Sequence, residues 1–208
     1  MAKNEELFQA VTKGKRKDVQ EIVQKAVDGG ASVEELLMDS MIPAMKEVGD
    51  RFSRNEAYVP EMLIAARAMQ AGLDIIDPIL AEQGHEPKGR VVIGTVKGDL
   101  HDIGKNLVTM MVKGAGYHVE DIGVDCDVEK YKKAVEDTGS KAVLLSALLT
   151  TTMPYMKEVV EAFKDSDVKV VIGGAPVTQE YADEIGADGY SSDANLAVSE
   201  VDRVLGLS

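Results

Sequence analysis

The spacing of apolar positions changes once along this chain, between residues 82 and 89. Before that point apolar residues recur three and four apart, which is the period of a helix face. The runs are Leu7, Phe8, Val11; then Val19, Ile22, Val23, Ala26; then Leu37, Met41, Met45, Val48, Phe52; then Met62, Met69, Leu73, Ile76, Leu80. The residues between them punctuate four helices. Gly29-Gly30 makes a stop, and Ser32-Val-Glu-Glu35 has the form of a capping box. Asn55-Glu56 interrupts the third pattern. Pro60 suits the first turn of the fourth, where its missing N–H would have had no intrahelical partner.

Residues 82–89, Glu-Gln-Gly-His-Glu-Pro-Lys-Gly, are polar and contain glycine and proline, a linker composition. Beyond them short β-rich runs at 90–96, 117–122, 141–146, 168–172 and 188–190 alternate with helical patterns at 103–114, 128–138, 154–165, 178–185 and 194–205. Such alternation predicts a parallel sheet covered by helices on both faces. The expected fold is therefore α + α/β in two domains. A four-helix bundle occupies 1–86, and a doubly wound, flavodoxin- or Rossmann-like sheet of five parallel strands occupies 87–208.

Composition narrows the setting. No apolar run approaches the ~18 residues of a membrane span, and Met-Ala-Lys-Asn-Glu-Glu has no signal-peptide core. A single cysteine, Cys126, excludes an internal disulfide framework; a cytoplasmic protein is expected. The formal net charge is -13, and aromatics make up 4% of the chain. A surface of that sign repels nucleic acid and anionic membranes, and the stacking platforms for bases are missing. The basic patch Lys13-Gly-Lys-Arg-Lys17 reads as a solvated turn between helices.

In a doubly wound sheet, ligands bind at the carboxyl ends of the strands. Three loops there carry unusual residues. After the first strand comes Gly98-Asp-Leu-His-Asp-Ile-Gly104, after the third Ser146-Ala-Leu-Leu-Thr-Thr-Thr152, and after the fourth Gly173-Gly174. The first is not a P-loop, since five residues separate its glycines and Asn106 stands where the magnesium-binding hydroxyl belongs. It lacks the G-x-G-x-x-G of dinucleotide sites. A phospho-acceptor receiver would end its third strand on aspartate, where this chain has Ser146. His85, His118 and Cys126 show no zinc spacing, and no G-x-S-x-G elbow supports a Ser146–His101–Asp99 triad. Two roles for His101 stay open. One is a general base oriented by a carboxylate; the other is an axial ligand of a metal whose other positions are filled by a macrocycle, with Asp99 taking its second ring N–H.

Asp99-x-His101-x-x-Gly104, with Ser146-x-Leu148 and Gly173-Gly174 at successive strand ends, resembles the cobalamin-binding signature of corrinoid proteins of methyltransferase systems and of methionine synthase. Met41 to Phe52 and Val59-Pro-Glu-Met-Leu63 are similar to the helical cap of that family. The resemblance implies cobalamin or a related corrinoid bound base-off and His-on, with His101 as the cobalt ligand and Asp99 as its partner. Thr152, where relatives often have serine, would extend that hydrogen-bond chain. The corrin and its nucleotide tail would lie against Gly98, Leu100, Asp102, Ile103, Gly104, Ser146, Leu148, Thr150, Gly173 and Gly174. Phe52 and Val59, the latter smaller than the family's leucine, would shield the upper face. The implied function is a methyl carrier, no complete enzyme alone, with the methylated cofactor as transfer intermediate. It would take the methyl group from a substrate-specific methyltransferase acting on methylamine, methanol, betaine or a methoxyarene. It would present it to a second methyltransferase using tetrahydrofolate or coenzyme M, and a reductive activator would serve it. The alternatives are the small subunit of a cobalamin-dependent mutase and a cobalamin sensor.

Overall fold

The computed structural model describes residues 4–207. One compact unit runs to Pro87 and takes in Gly114–Gly116; the other comprises Lys88–Lys113 and the chain from Tyr117.

The first unit is helical. It contains α1 (Glu5–Thr12), α2 (Arg16–Asp28), the helical stretch α3 (Val33–Leu36) to α4 (Ile42–Ser53), and α5 (Val59–Glu82). The punctuation acts as its chemistry requires. Gly29 closes α2 and Gly30 turns away at φ 75°. Ser32 Oγ accepts the N–H of Glu35 at 3.3 Å. Asn55 leaves α4 at φ 59°, and Pro60 sits in the first turn of α5. One feature departs from the even helical spacing: between α3 and α4 the backbone widens into a π turn, Leu37–Met41. Pro43 supplies a reason, because its ring would collide with the carbonyl four residues back in a regular helix, at Asp39. The wider turn still buries Leu37 and Met41 with Met45, Met62, Met69 and Ile76.

The second unit alternates β1 (Arg90–Thr95), α6 (Ile103–Gly114), β2 (His118–Asp121), α7 (Val128–Thr138), β3 (Ala142–Ser146), α8 (Pro154–Phe163), β4 (Lys169–Gly173), α9 (Gln179–Ile185), β5 (Gly189–Ser191) and α10 (Ala194–Leu205). All pairings are parallel, in the order β2-β1-β3-β4-β5. The strand interiors are buried on both faces, as Val91–Ile93, Val143–Leu145 and Val170–Ile172 show, which explains their unbroken apolar runs. Several strands are a residue shorter than their apolar runs; Val96, for one, makes only an isolated bridge to Cys126 as the chain turns off the sheet.

Two consequences position a site. The chain leaves β1 toward β2 on one side and returns across it to β3 on the other, so the crevice of the switch point opens between β1 and β3. The register also puts Thr95, Ser146, Gly173 and Ser191 level across the sheet. The apolar strands thus end together on a row of small and hydroxyl residues.

Candidate functional site

The loop from β1 to α6 turns at Gly98, whose φ of 83° an L side chain would resist. The main-chain N–H of Asp99 closes that turn on the Val96 carbonyl at 3.1 Å. This geometry directs the Asp99 side chain inward, where it has no solvent exposure. An enclosed carboxylate needs compensating donors. Oδ1 accepts the main-chain N–H of His101 at 3.0 Å and faces its ring Nδ1 at 2.7 Å. Oδ2 accepts Thr152 Oγ1 at 2.7 Å and the N–H groups of Leu148 at 2.8 Å and Leu149 at 3.4 Å. Burial works to raise the Asp99 pKa, but the bonds from His101, Leu148 and Thr152 outweigh it and hold the carboxyl well below the usual carboxylate range.

An ionised Asp99 fixes the tautomer of His101. Nδ1 must carry the proton that it shares with Oδ1, which leaves Nε2 as the nitrogen with a free lone pair. The His101 side chain is 50% exposed while Asp99 behind it is enclosed. Thr95, fully buried at the end of β1, ties the same loop by donating its hydroxyl to the His101 carbonyl at 2.9 Å.

The surface around the imidazole is unusually apolar for solvent. Leu100 and Ile103 are each 72% exposed, and Leu148 and Leu149 are 43% and 42% exposed. Exposed apolar groups gathered at one place mark a binding surface. A Cβ on Gly104 would project into open space, so this glycine serves no packing need of its own helix. Among the described residues no three His, Cys, Asp or Glu side chains gather as a metal-ion site. A metal on His101 would have to bring its remaining ligands with it. A single imidazole with a fixed lone pair, bordered by leucines and isoleucine, fits a macrocyclic cofactor.

The other residues expected here are placed as follows. Ser146 ends β3 beside Gly173, and Thr150 is exposed in the turn that carries Thr152. Gly174 has φ 136°, and a Cβ there would lie 1.9 Å from the Ala147 carbonyl oxygen, so the loops after β3 and β4 touch only because it is glycine. Asp102 accepts Asn106 Nδ2 at 3.1 Å. Phe52 is half-buried near the end of α4 and Val59 is 38% exposed on α5, both in the helical unit. Two residues of the α/β site went unremarked in the sequence, and Thr95 is one. Lys105, whose place after Gly104 suggested a phosphate-binding lysine before the spacing excluded a P-loop, is buried in the first turn of α6 and donates to Asn106 Oδ1 at 2.7 Å and to Asp121. The second unremarked residue is Asp125, in the loop after β2. The polar residue closing an apolar strand was the available signal for Thr95; for Asp125 there was only its place in a loop at the same sheet edge.

A doubly wound domain that presents a carboxylate-backed histidine on an apolar surface at its switch point is shaped to bind a large, largely apolar ligand. Comparison with known proteins specifies that class. Residues 89–199 match the family described as B12 binding domain, and residues 4–77 match a second family of the same description. A corrinoid protein of Desulfitobacterium hafniense is 39% identical over 97% of each chain. A trimethylamine corrinoid protein of Methanosarcina barkeri is 37% identical over 99% of each. Among solved structures, the methanol:cobalamin methyltransferase complex of Methanosarcina barkeri covers 98% of this chain and 79% of its own, at 28% identity and a TM-score of 0.86. A cobalamin-binding protein of Desulfitobacterium hafniense covers 95% of this chain and 96% of its own, at 31% identity and a TM-score of 0.78. The chain belongs to the B12-binding corrinoid proteins of methyltransferase systems. Its cofactor is cobalamin or a related corrinoid.

Proposed function

We propose that this protein carries a methyl group between two methyltransferases, holding its corrinoid through His101 Nε2 with the cofactor's own base displaced. The observation that carries the reading is the Asp99–His101 pair: an enclosed, ionised carboxylate 2.7 Å from Nδ1 fixes the lone pair on the outward nitrogen of a half-exposed ring. When bound, the cobalt of a corrinoid accepts a methyl group and gives it up again. The chain's own part is to bind and to orient. Asp99 holds the imidazole proton at Nδ1 and its negative charge raises the basicity of Nε2. Thr152 Oγ1 fixes the other carboxylate oxygen. Leu100, Ile103, Leu148 and Leu149 offer apolar contact to the corrin, with Gly98, Asp102 and Gly104 along the same loop. Ser146, Thr150, Gly173 and Gly174 line the side where the displaced nucleotide tail would lie. For Phe52 and Val59 we propose apolar contact with the bound corrin.

The donor is a methylated amine or alcohol delivered by a substrate-specific methyltransferase. Support comes from relatives named for dimethylamine, trimethylamine and methanol. The acceptor enzyme uses tetrahydrofolate or coenzyme M, a reductive activator serves the carrier, and all work in the cytoplasm. Nitrogen coordination is tested directly. Protein loaded with Co(II) cobalamin should show a threefold superhyperfine splitting from one nitrogen in its electron paramagnetic resonance spectrum. Labelling histidine with 15N should turn that splitting twofold, and H101A should remove the label's effect. A spectrum indifferent to the label refutes the assignment of His101. Methyl-transfer assays with candidate partner enzymes then select the donor.

A further inference from the structure

Apart from Asn55, Asp125 is the one non-glycine residue with a positive φ among the described residues, at 51°. Aspartate tolerates this left-handed region better than most residues, but glycine enters it without cost. A side chain kept there invites the question of what it does. It does not cap α7, since Asp127 does that by accepting the N–H of Lys130 at 3.0 Å. Nor does its carboxylate serve its own loop. Asp125 Oδ1 accepts the N–H of Gly98 at 2.8 Å, on the loop that bears His101. The main-chain N–H of Asp125 donates to the Asp99 carbonyl at 3.0 Å. One residue thus holds both sides of the Gly98–Asp99 peptide neighbourhood, once by side chain and once by backbone.

The grip is anchored. Next to it, Cys126 N–H donates to the Thr95 carbonyl at 3.0 Å and Thr95 N–H to the Gly123 carbonyl at 2.9 Å, which fasten the 123–126 loop to the end of β1. Gly98 is the turning point of the His101 loop and has no side chain to hold it in place. Rotation of its peptide would displace Asp99, whose Oδ1 fixes both the main-chain N–H and the ring of His101.

We propose that Asp125 is a positioning residue for His101: its left-handed backbone and its carboxylate clamp the Gly98 turn so that the Asp99–His101 pair presents Nε2 in one place. The clamp itself stands on the geometry above; its importance to cobalt coordination rests on the reading of His101 as ligand.

Two variants separate the parts. D125G keeps the left-handed backbone and removes the acceptor; D125N keeps an acceptor oxygen and removes the charge. In the full-length, cofactor-free protein, exchange of the Gly98 amide should speed roughly fivefold in D125G, the effect of one lost hydrogen bond, and stay near wild type in D125N. In protein loaded with Co(II) cobalamin, the fraction showing histidine-nitrogen splitting, measured well below every variant's urea midpoint, should fall in D125G and recover in D125N. A merely structural aspartate would move the midpoint and leave the splitting alone. Unchanged Gly98 exchange in D125G overturns the clamp, as does D125N behaving like D125G. Faster exchange with an unaltered split fraction overturns the positioning of His101. If wild type itself shows no histidine splitting, the ligand reading fails, while the exchange measurement still decides whether the clamp exists.

Discussion

Asp99 shows how much one enclosed carboxylate can determine. Asparagine in its place offers one acceptor oxygen to groups that now share two. With its NH2 at the Oδ2 position, the Leu148 N–H loses its partner; Thr152 alone can turn to the Leu149 carbonyl, 2.9 Å away. With its NH2 at the Oδ1 position, the main-chain N–H of His101 is orphaned and the ring is pushed toward the tautomer that protonates Nε2. Either way a buried donor is stranded, so D99N should lower the unfolding free energy by about 1–3 kcal/mol in urea titrations. The acid response follows in sign. A carboxyl held below its unfolded value of about 3.9 adds stability that is complete above that pH and lost as pH falls toward the folded value. Wild-type stability should therefore drop between about pH 4 and 2 more steeply than that of D99N. Substituting T152V should weaken the wild type by roughly 1 kcal/mol and remove the bond to Asp99, while T152S keeps that hydroxyl at the cost of a buried methyl. The pairing of Asp99 with His101 was legible from a two-residue spacing in a glycine-bearing turn. The contact from Asp125 was not, because it arises from loops adjacent in the sheet but 27 residues apart in the chain.

At the scale of elements, period and punctuation located the strands and helices after residue 89 to within a residue or two, because this sheet is buried on both faces and its helices are amphipathic. What periodicity could not express was the π turn at Leu37–Met41, where a proline inside a helical run adjusts the backbone without disturbing the apolar face. The two glycine loops divide by physical role in a way that sequence alone left merged. Gly174 exists for backbone contact. In G174A the new Cβ overlaps the Ala147 carbonyl in a left-handed conformation, and the expected loss is about 3 kcal/mol or more, seen with or without cofactor. Gly104 meets nothing. In α6 an alanine there should leave the cofactor-free protein as stable as wild type or a few tenths of a kcal/mol more so. If Gly104 lies against the corrin as proposed, the same methyl group would intrude on the cofactor, so G104A should weaken hydroxocobalamin binding roughly tenfold or more by absorbance titration. Unchanged binding would free Gly104 from any part in the site.

For the whole molecule, two B12-domain families match separate stretches, 4–77 and 89–199. The intervening chain ends α5 at Glu82 and passes through Gly84, at φ 71°, to the start of β1. Beyond that linker lie the groups that bond to the His101 loop, among them Thr95, Asp99, Asp125, Leu148, Leu149 and Thr152. The exposed leucines and isoleucine around it belong to the same stretch. The groups orienting the imidazole therefore do not depend on the helices for their hydrogen bonds. If a protease site is placed within 83–89 and the folded protein is cut there, the α/β fragment should still take up Co(II) cobalamin and show nitrogen splitting sensitive to 15N-histidine. Any loss of affinity on cutting then measures what the helical unit contributes to holding the cofactor, and V59A and F52A in the uncut protein should reproduce part of it. A fragment that folds, by its circular dichroism, yet shows no histidine coordination would mean that the Asp99–His101 geometry is insufficient by itself to recruit the cobalt.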